Sequence, residues 1–330
     1  MADNNGGAVA IKGFNFQTMA VIFFIVNNID DDKFSAYVES EEDFTLDKNG
    51  YKSYVQVKAR KLSLKLLLKT ALKDSGDIEP SILEKNLSSA DDGEFLIYTK
   101  ELAAKDLKSM IKKSDIFVNE EDVYVFSEEQ KKSIVDAFKK DGFGESLIKN
   151  LNNSRLFVSK FGDSLKDSQR YLIGLMSEKK IDITGDRAKM ALNELFFLVH
   201  KKAEYLVQKG YEKDDYEKKK LTSDELKSIF KKAESRSFFY KFVEDTNYST
   251  LFKDKVTKIR NEIFNEYYVE RKMLNTIFDS QKLDFDCPNQ DLINKMKLEL
   301  DSDKDKFDNC DKYVKVSLII DYISERAVQS

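Results

Sequence analysis

Three residues, one before a short turn and two after it, have the types needed to hydrolyse a phosphate ester. Asp43 begins one extended segment, and Gln56 and Lys58 lie in the next. Carboxylate and amide oxygens are hard ligands that suit Mg²⁺. A lysine ammonium can orient or deprotonate a water molecule, or neutralise charge that develops on a phosphate oxygen. Together these groups indicate metal-dependent phosphodiester hydrolysis.

A β-hairpin is needed to bring these groups together. Asn49-Gly50 separates two segments of alternating hydrophobicity, which is a strong signal for a tight hairpin turn. Side chains alternate between faces along a strand, so Gln56 and Lys58 project from one face and their apolar neighbours from the other. An antiparallel partner strand beginning at Asp43 would bring its carboxylate to the same edge if the register is right.

The pattern around this hairpin predicts an α/β layer, with a sheet covered by helices. The predicted elements, in order, are a helix at 13–29, strands at 34–39, 43–47 and 51–59, a helix at 62–73, and strands at 95–99 and 123–126.

Beyond residue 127 the pattern becomes helical, and it predicts an all-α bundle. The predicted helices are 163–176, 187–208, 223–242, 251–279 and 314–327. Thr222 and Glu225 have the spacing of a helix N-cap with an acidic first turn. We therefore expect two domains, at residues 1–145 and 146–330.

Composition excludes several other kinds of chemistry. Among 330 residues there are two cysteines and one histidine, so a structural zinc site is excluded, and Ser-His or Cys-His catalysis would need His200. His200 lies in an apolar helical segment and is expected at the edge of a core. The run at 19–26 is much shorter than the about 20 residues of a membrane span, and the acidic start does not resemble a signal peptide. We expect a cytoplasmic protein without membrane contact, in which Cys287 and Cys310 are free thiols.

The residues of the hairpin resemble the active site of the PD-(D/E)XK nuclease superfamily, in the variant where glutamine replaces the second acid. Three further motifs extend the resemblance, namely 6–8 (Gly-Gly-Ala), 13–17 (Gly-Phe-Asn-Phe-Gln) and Glu42-Asp43. With them, the chain is similar over roughly residues 6–100 to the N-terminal nuclease domain of bacterial anti-phage effectors of CBASS and Lamassu systems. The resemblance implies a restriction-endonuclease-like fold with a central mixed sheet flanked by helices.

The resemblance also implies roles for individual residues. Asp43, Gln56 and Lys58 would be catalytic, with Gln17 and Glu42 as auxiliary residues. Asp43, Gln56 and Glu42 would hold Mg²⁺ or Mn²⁺. Several acids precede the hairpin, so Glu39 is an alternative ligand to Glu42.

The Lamassu type is favoured because the second half is helical, whereas the CBASS effectors carry a nucleotide-sensing domain rich in sheet. The resemblance then implies an endonuclease that cuts double-stranded DNA with relaxed sequence preference in abortive infection. Its partners would be an SMC-like ATPase subunit, a small accessory subunit and other copies of the chain in a homo-oligomer. The alternatives are a non-catalytic scaffold subunit, a CBASS effector triggered by a cyclic nucleotide, and an RNA nuclease.

A basic stripe follows the active-site motif in a chain whose net charge is −4. Residues 48–73 contain eight basic residues and no acid. The lysines at 61, 65, 69 and 73 are four residues apart, which predicts one ridge on the helix expected at 62–73. Phosphate contacts would compensate the repulsion between them, so we expect Arg60, Lys61, Lys65 and Lys69 to bind nucleic acid. The alternative is a solvated helix face.

Overall fold

The computed structural model describes residues 5–72, 78–118, 123–140, 145–179, 185–206, 212–263, 267–278, 289–302, 307 and 310–329. Lys73 and Cys287 lie outside the described residues. The chain forms two compact units, Met1–Ile229 and Phe230–Ser330. The domain boundary predicted at residue 145 lies within the first of these units, and the division of function predicted there stays a prediction.

The first unit contains a mixed sheet with helices on both faces. Its strands are β1 (Phe34–Val38), β2 (Phe44–Lys48), β3 (Tyr51–Leu62), β4 (Ala71–Leu72), β5 (Ile78–Glu79), β6 (Glu94–Leu102), β7 (Ile111–Lys113), β8 (Val123–Val125), β9 (Ser154–Val158) and β10 (Lys220–Thr222). Its helices are α1 (Gly6–Asn27), α2 (Leu64–Leu67), α3 (Ile82–Leu87), α4 (Ala104–Leu107), α5 (Glu128–Lys140), α6 (Glu145–Leu151), α7 (Leu165–Glu178), α8 (Gly185–Ala203), α9 (Glu212–Lys219) and the start of α10 (Ser223–Glu244).

Eight strands form the central sheet in the order β10-β1-β2-β3-β6-β9-β8-β7. The strands β3, β6 and β9 are parallel to one another, and the other neighbours are antiparallel. Strands β4 and β5 form a separate two-stranded sheet. The predicted α/β domain with a central mixed sheet flanked by helices, followed by a helical region, is confirmed.

Helix α1 packs on one face of the sheet through aromatic side chains. Phe23 contacts Tyr98 and Phe157 on β6 and β9, and Phe24 contacts Phe44 at the start of β2. By length and composition alone α1 could cross a bilayer, but residues 18–26 of it are buried within the first unit. That burial is what the core helix of a globular fold requires.

The other face of β3 carries a second hydrophobic core. Tyr54 of β3 and Ile97 of β6 pack there with Leu83 of α3 and with apolar residues of α2, α5 and α6. Because side chains alternate along β3, Gln56 and Lys58 have the same parity as Tyr54 and belong to this face.

The helix predicted at 62–73 is wrong. Strand β3 continues to Leu62, which pairs with Leu102 of β6, and α2 is a single turn capped by Ser63. The pairing with β6 and the burial of Leu62 and Leu67 favour an extended segment and a short turn over one continuous helix. Lys61, Lys65 and Lys69 therefore do not share one helical ridge.

Two strands of the sheet come from the region predicted to be purely helical. Strand β9 extends the parallel part of the sheet, and β10 pairs with the edge of β1. Both are short, and their apolar patterns are hard to distinguish from helix turns by sequence alone. The predicted cap of α10 is confirmed, since Thr222 and Glu225 exchange side-chain to backbone hydrogen bonds.

The second unit is helical. It contains the end of α10 together with α11 (Thr250–Ile263), α12 (Tyr268–Phe278), α13 (Asn289–Ser302) and α14 (Lys312–Gln329). The helix predicted at 251–279 is instead two helices, with residues 264–266 outside the described part. Asp321 is buried on α14, and it pairs with Arg260 and Arg271 at 3.1 Å each. Cys310 is buried with a free thiol, whose pKa burial raises to about 11.

Candidate active site

The predicted hairpin positions the candidate residues. Asn49 and Gly50 both have positive φ angles, of 58° and 81°, as a type I′ turn requires. The turn sets the register in which Phe44 pairs with Val55. Asp43 directly precedes Phe44, so it lies next to the part of β3 that carries Gln56.

Asp43 is bound to β3 through its side chain. Its Oδ2 accepts a hydrogen bond of 2.6 Å from the Val57 N–H. Strand β2 begins only at Phe44, so the carboxylate replaces the main-chain carbonyl that a longer strand would offer. This bond fixes the orientation of the carboxyl group relative to β3.

Glu42 and Gln56 form the second part of the site. Gln56 Nε2 donates to Glu42 Oε2 at 3.3 Å, and the Ser89 hydroxyl donates to Glu42 Oε1 at 2.7 Å. Gln56 is only 5% exposed, and its Oε1 is buried without a hydrogen-bond partner among the described residues. A buried carbonyl oxygen without a donor is costly, and a bound cation would satisfy it.

The carboxyl groups of the site have raised pKa values. Burial raises the pKa of Asp43, against the opposing effects of the Lys58 ammonium and the Val57 N–H. Burial also raises the pKa of Glu42, and the charge of Asp43 adds to this, while Ser89, Lys58 and Gln56 oppose it. Two carboxylates that share a poorly solvated place repel each other, which a divalent cation between them would relieve.

Gln17 and Glu39 lie beside the loop that leads to Asp43. Gln17 Nε2 donates to Glu39 Oε1 at 2.6 Å and to the main-chain carbonyl of Asp43 at 3.1 Å. Burial raises the pKa of Glu39, and the Gln17 hydrogen bond opposes this shift. Gln17 therefore contacts the loop rather than the Asp43 carboxylate.

Lys58 opens onto a cleft of about 360 Å³ on the same face of the sheet. Arg60 and Lys69 also line the cleft, together with Glu79 and Lys85, which form an ion pair of 2.6 Å. Three of the basic residues of the stripe thus surround one space next to Gln56.

The other predicted nucleic-acid contacts are more scattered. Lys61, on β3, forms an exposed ion pair with Glu101 of β6. Lys65 is exposed on α2. His200 packs against Phe14 and Phe196, as expected of a histidine at the edge of a core.

Two residues at the site were missed by the sequence analysis. Ser89 follows α3 and holds Glu42, and Lys219 donates to the main-chain carbonyl of Glu39 at 2.8 Å. Ser89 has no local signal, and Lys219 is one of three consecutive lysines that read as a solvated helix end. Only the tertiary pairing of distant segments reveals either contact.

The donor set fits a hard divalent cation in its chemistry. Glu42 and Asp43 supply carboxylate oxygens, and Gln56 supplies the buried Oε1. Among the described residues, no group of three or more His, Cys, Asp and Glu side chains could hold a metal ion. The candidate set has two carboxylates and one amide, which suits Mg²⁺ because this ion keeps several water ligands.

The mixed sheet, and the Gln-x-Lys strand beside a basic cleft, agree with what the resemblance to restriction-endonuclease-like nuclease domains implies. Residues 5–205, more than half of the chain, match the family described as Cap4, dsDNA endonuclease domain. The chain therefore belongs to this family, and the predicted resemblance to anti-phage nucleases is confirmed.

Two individual proteins are similar to the chain. The Lamassu protein LmuA from Bacillus sp. is 29% identical over 257 residues, which is 77% of this chain and 78% of LmuA. A solved structure, the Moraxella osloensis Cap4 SAVED/CARF-domain containing receptor, aligns with 14% identity and a TM-score of 0.34. That alignment covers 58% of this chain and 43% of the receptor, so the chain spans less than half of that protein.

Proposed function

We propose that this chain is a metal-dependent endonuclease that cuts double-stranded DNA in an anti-phage defence system of the Lamassu type. Membership of the Cap4 nuclease family and the similarity to LmuA support the nuclease and the defence context. The observation that carries the metal proposal is the Oε1 of Gln56, which is buried and has no hydrogen-bond partner among the described residues, on a side chain whose Nε2 donates to Glu42.

In this proposal Asp43, Glu42 and Gln56 hold Mg²⁺ or Mn²⁺, which when bound supplies a Lewis acid for the scissile phosphate. The Val57 N–H orients the Asp43 carboxylate, and Ser89 orients Glu42. Lys58 lies at the edge of the cleft, where its ammonium can orient the attacking water and neutralise charge on the phosphate.

The DNA backbone would enter along the basic cleft. Arg60 and Lys69 line it beside Lys58, so their charges can contact successive phosphates. Lys61 and Lys65 would add weaker contacts from the neighbouring surface. Phosphate contacts provide affinity and register without reading the sequence, which agrees with relaxed specificity.

Control of the enzyme is proposed to depend on other subunits. The similarity to LmuA extends over 77% of the chain, beyond the matched residues 5–205. This supports an assembly or regulatory role for the part of the predicted second domain, 146–330, that follows residue 205. The proposed partners are an SMC-like ATPase, a small accessory subunit and other copies of the chain, in the cytoplasm. A scaffold without activity and a cyclic-nucleotide-triggered effector are the competing proposals.

The test compares cleavage of plasmid DNA by the wild type and by Asp43→Asn and Lys58→Met variants, with Mg²⁺ or Mn²⁺ and with chelator. We expect each substitution to lower the cleavage rate by about 10²–10³-fold, because each removes a group that stabilises the reacting phosphate. The matched control is Glu41→Gln, since Glu41 is exposed in the same loop and accepts a hydrogen bond from Thr45.

Undiminished cleavage by both active-site variants would overturn the proposed site. A wild type that neither cleaves DNA nor binds Mn²⁺ in calorimetry, alone and with its partner subunits, would favour the scaffold. A matched RNA substrate separates a deoxyribonuclease from a ribonuclease, because the same variants are then compared on both.

A further inference from the structure

The loop between β1 and β2 holds its shape under strain. Glu39 has a φ of 50°, in the left-handed region that side-chain-bearing residues rarely adopt. Its N–H donates to the Asp43 carbonyl at 2.9 Å, which closes the loop directly before β2. A strained residue of this kind persists only where surrounding contacts impose it.

Lys219 supplies one of these contacts from a distant part of the chain. Its Nζ donates to the Glu39 carbonyl at 2.8 Å, although the residue is only 3% exposed. Burying a lysine ammonium costs free energy unless the ammonium is well paired, and burial lowers the pKa of Lys219. The lysine therefore occupies a position where a smaller polar or apolar residue would be easier to accommodate.

The register of β10 explains how Lys219 reaches the loop. Tyr37 of β1 pairs with Lys220 of β10 in antiparallel register. One residue beyond this pair are Val38 on β1, which directly precedes Glu39, and Lys219, the last residue of α9. The pairing of β10 with β1 thus places the lysine against the end of β1 that enters the loop.

This support comes from outside the matched nuclease domain. The family match ends at residue 205, whereas α9 and β10 lie at 212–222. Inside the match, Gln17 holds the same loop through the Glu39 carboxylate and the Asp43 carbonyl. The loop is therefore held by two amine or amide donors, one from each of these parts of the chain.

We propose that Lys219 is a positioning residue of the nuclease site, which keeps the Glu39–Asp43 loop in the geometry that places Asp43 and Glu42 for the metal. The inference rests on the proposed function, and it makes that function dependent on the pairing of β10. Strand β10 has only three residues at the edge of the sheet, so it belongs to the least stable part of the sheet. Separation of β10 from β1 would withdraw Lys219 and loosen the loop.

The test uses the full chain with three substitutions. Lys219→Met removes the donor while keeping the length of the side chain, and Lys219→Arg retains a charged donor. Lys227→Met is the matched control. Lys227 lies on α10, which directly follows β10, and it forms an exposed ion pair with Asp32 instead of contacting the loop. Amide hydrogen exchange of the peptide that covers residues 39–44 is measured beside DNA cleavage at a series of Mn²⁺ concentrations.

We expect faster exchange of the loop peptide in Lys219→Met, and a rise of about 10–100-fold in the Mn²⁺ concentration for half-maximal cleavage, as for partners that orient metal ligands. DNA affinity stays unchanged, Lys219→Arg recovers most of the loss, and Lys227→Met behaves as the wild type. Should Lys219→Met not fold, Lys219→Gln, which is shorter and uncharged, carries the same test.

Wild-type loop exchange and wild-type Mn²⁺ dependence in the folded Met or Gln variant would overturn the role of Lys219. Asp43→Asn is assayed in parallel. If it abolishes cleavage while Lys219→Met does not alter it, only this inference fails. If Asp43→Asn also cleaves normally, the proposed active site itself fails.

Discussion

Two clusters of carboxyl groups lie beside β3 and β6, and their surroundings differ. At the candidate site, Glu42 and Asp43 meet Gln56 next to an open basic cleft. Nearer the start of the two strands, Glu94 lies close enough to Asp115 for the charge of Asp115 to raise its pKa. They are only 4% and 8% exposed.

The Glu94–Asp115 pair has protein partners on several sides. Arg155 Nε lies 3.5 Å from Glu94 Oε2, and the Ser53 hydroxyl donates to Glu94 Oε1 at 3.2 Å. Asp115 accepts a hydrogen bond of 2.7 Å from the Phe117 N–H. Burial, with the charge of Asp115, raises the pKa of Glu94 to about 8, so the pair shares a proton near neutral pH.

The comparison shows that a raised pKa does not by itself identify a functional carboxyl group. Burial raises the pKa in both groups. Each group also contains a buried oxygen without a hydrogen-bond partner among the described residues, Gln56 Oε1 in one and Asp115 Oδ2 in the other. What distinguishes the candidate site is its place beside a basic cleft, which Gln56 and Lys58 line. The Glu94–Asp115 pair is neutralised by Arg155 and a proton, so we expect it to contribute to stability and not to catalysis.

Among the substitutions that test this difference between the two clusters, removal of Arg155 has the largest expected effect. Arg155→Met leaves the two buried carboxyl groups without their cation, and we expect a loss of about 3 kcal/mol in the free energy of unfolding. Thermal and urea unfolding followed by circular dichroism measure this loss. The cleavage rate of the folded fraction should not change, because among the described residues Arg155 bonds to the Ser154 carbonyl and pairs with Glu94, and not with the candidate site residues.

The control for this substitution is Arg170→Met. Arg170 forms an exposed ion pair with Asp167, and exposed pairs contribute between about 0 and 1 kcal/mol. Equal destabilisation by both substitutions, or a loss of cleavage in the folded Arg155→Met protein, would remove the distinction between the two carboxyl groups.

A smaller effect is expected in the pH dependence of stability. The pKa of Glu94 is higher in the folded chain than the ordinary value of 4.5, so folding favours its protonated form. The associated stability is present at low pH and is lost as the pH rises from about 4.5 to about 8. Glu94→Gln cannot ionise, so its melting temperature should fall by a few degrees less than that of the wild type between about pH 5 and about pH 9.

Asp106→Asn is a suitable control for the pH series. Asp106 accepts a hydrogen bond from the Leu64 N–H at 3.0 Å, and no hydrogen bond or ion pair among the described residues joins it to Glu94 or Asp115. The melting temperature of Asp106→Asn should fall between about pH 5 and about pH 9 by as much as that of the wild type. An identical pH dependence in Glu94→Gln and the wild type would show that the pair does not hold the extra proton.

The sequence predicted the hairpin and most of the elements that form the site, because these depend on local signals. Asn49-Gly50 fixed the turn, and the turn fixed the register that brings Asp43 to β3. The Glu94–Asp115 pair carried no such signal, since its members lie in separate elements and neither belongs to a motif. Pairing between distant segments, such as β10 with β1, is decided by tertiary contacts that a periodicity analysis does not contain.

The lysines of the basic stripe show a further limit, because here a local signal was present and predicted the wrong element. Their four-residue spacing predicted a helical ridge, but the extension of β3 to Leu62 separates Lys61 from Lys65 and Lys69. Of the four predicted nucleic-acid contacts, Arg60 and Lys69 line the cleft, and Lys61 is paired with Glu101. Spacing identified a basic region correctly but could not assign which of its residues face the site.

The smallest expected effect tests whether the cleft makes the candidate site accessible to DNA. Lys69→Glu should reduce the slope of log affinity against log salt concentration by about one, because one phosphate contact is lost. Lys113→Glu is the control, since Lys113 is exposed on the edge strand β7, which is four strands away from β3 and its cleft residues. Fluorescence anisotropy with labelled duplex DNA gives both slopes in the presence of Ca²⁺ instead of Mg²⁺. Equal slopes for the two variants would mean that the cleft does not bind the DNA backbone, and the open side of the carboxyl cluster would then need a different explanation.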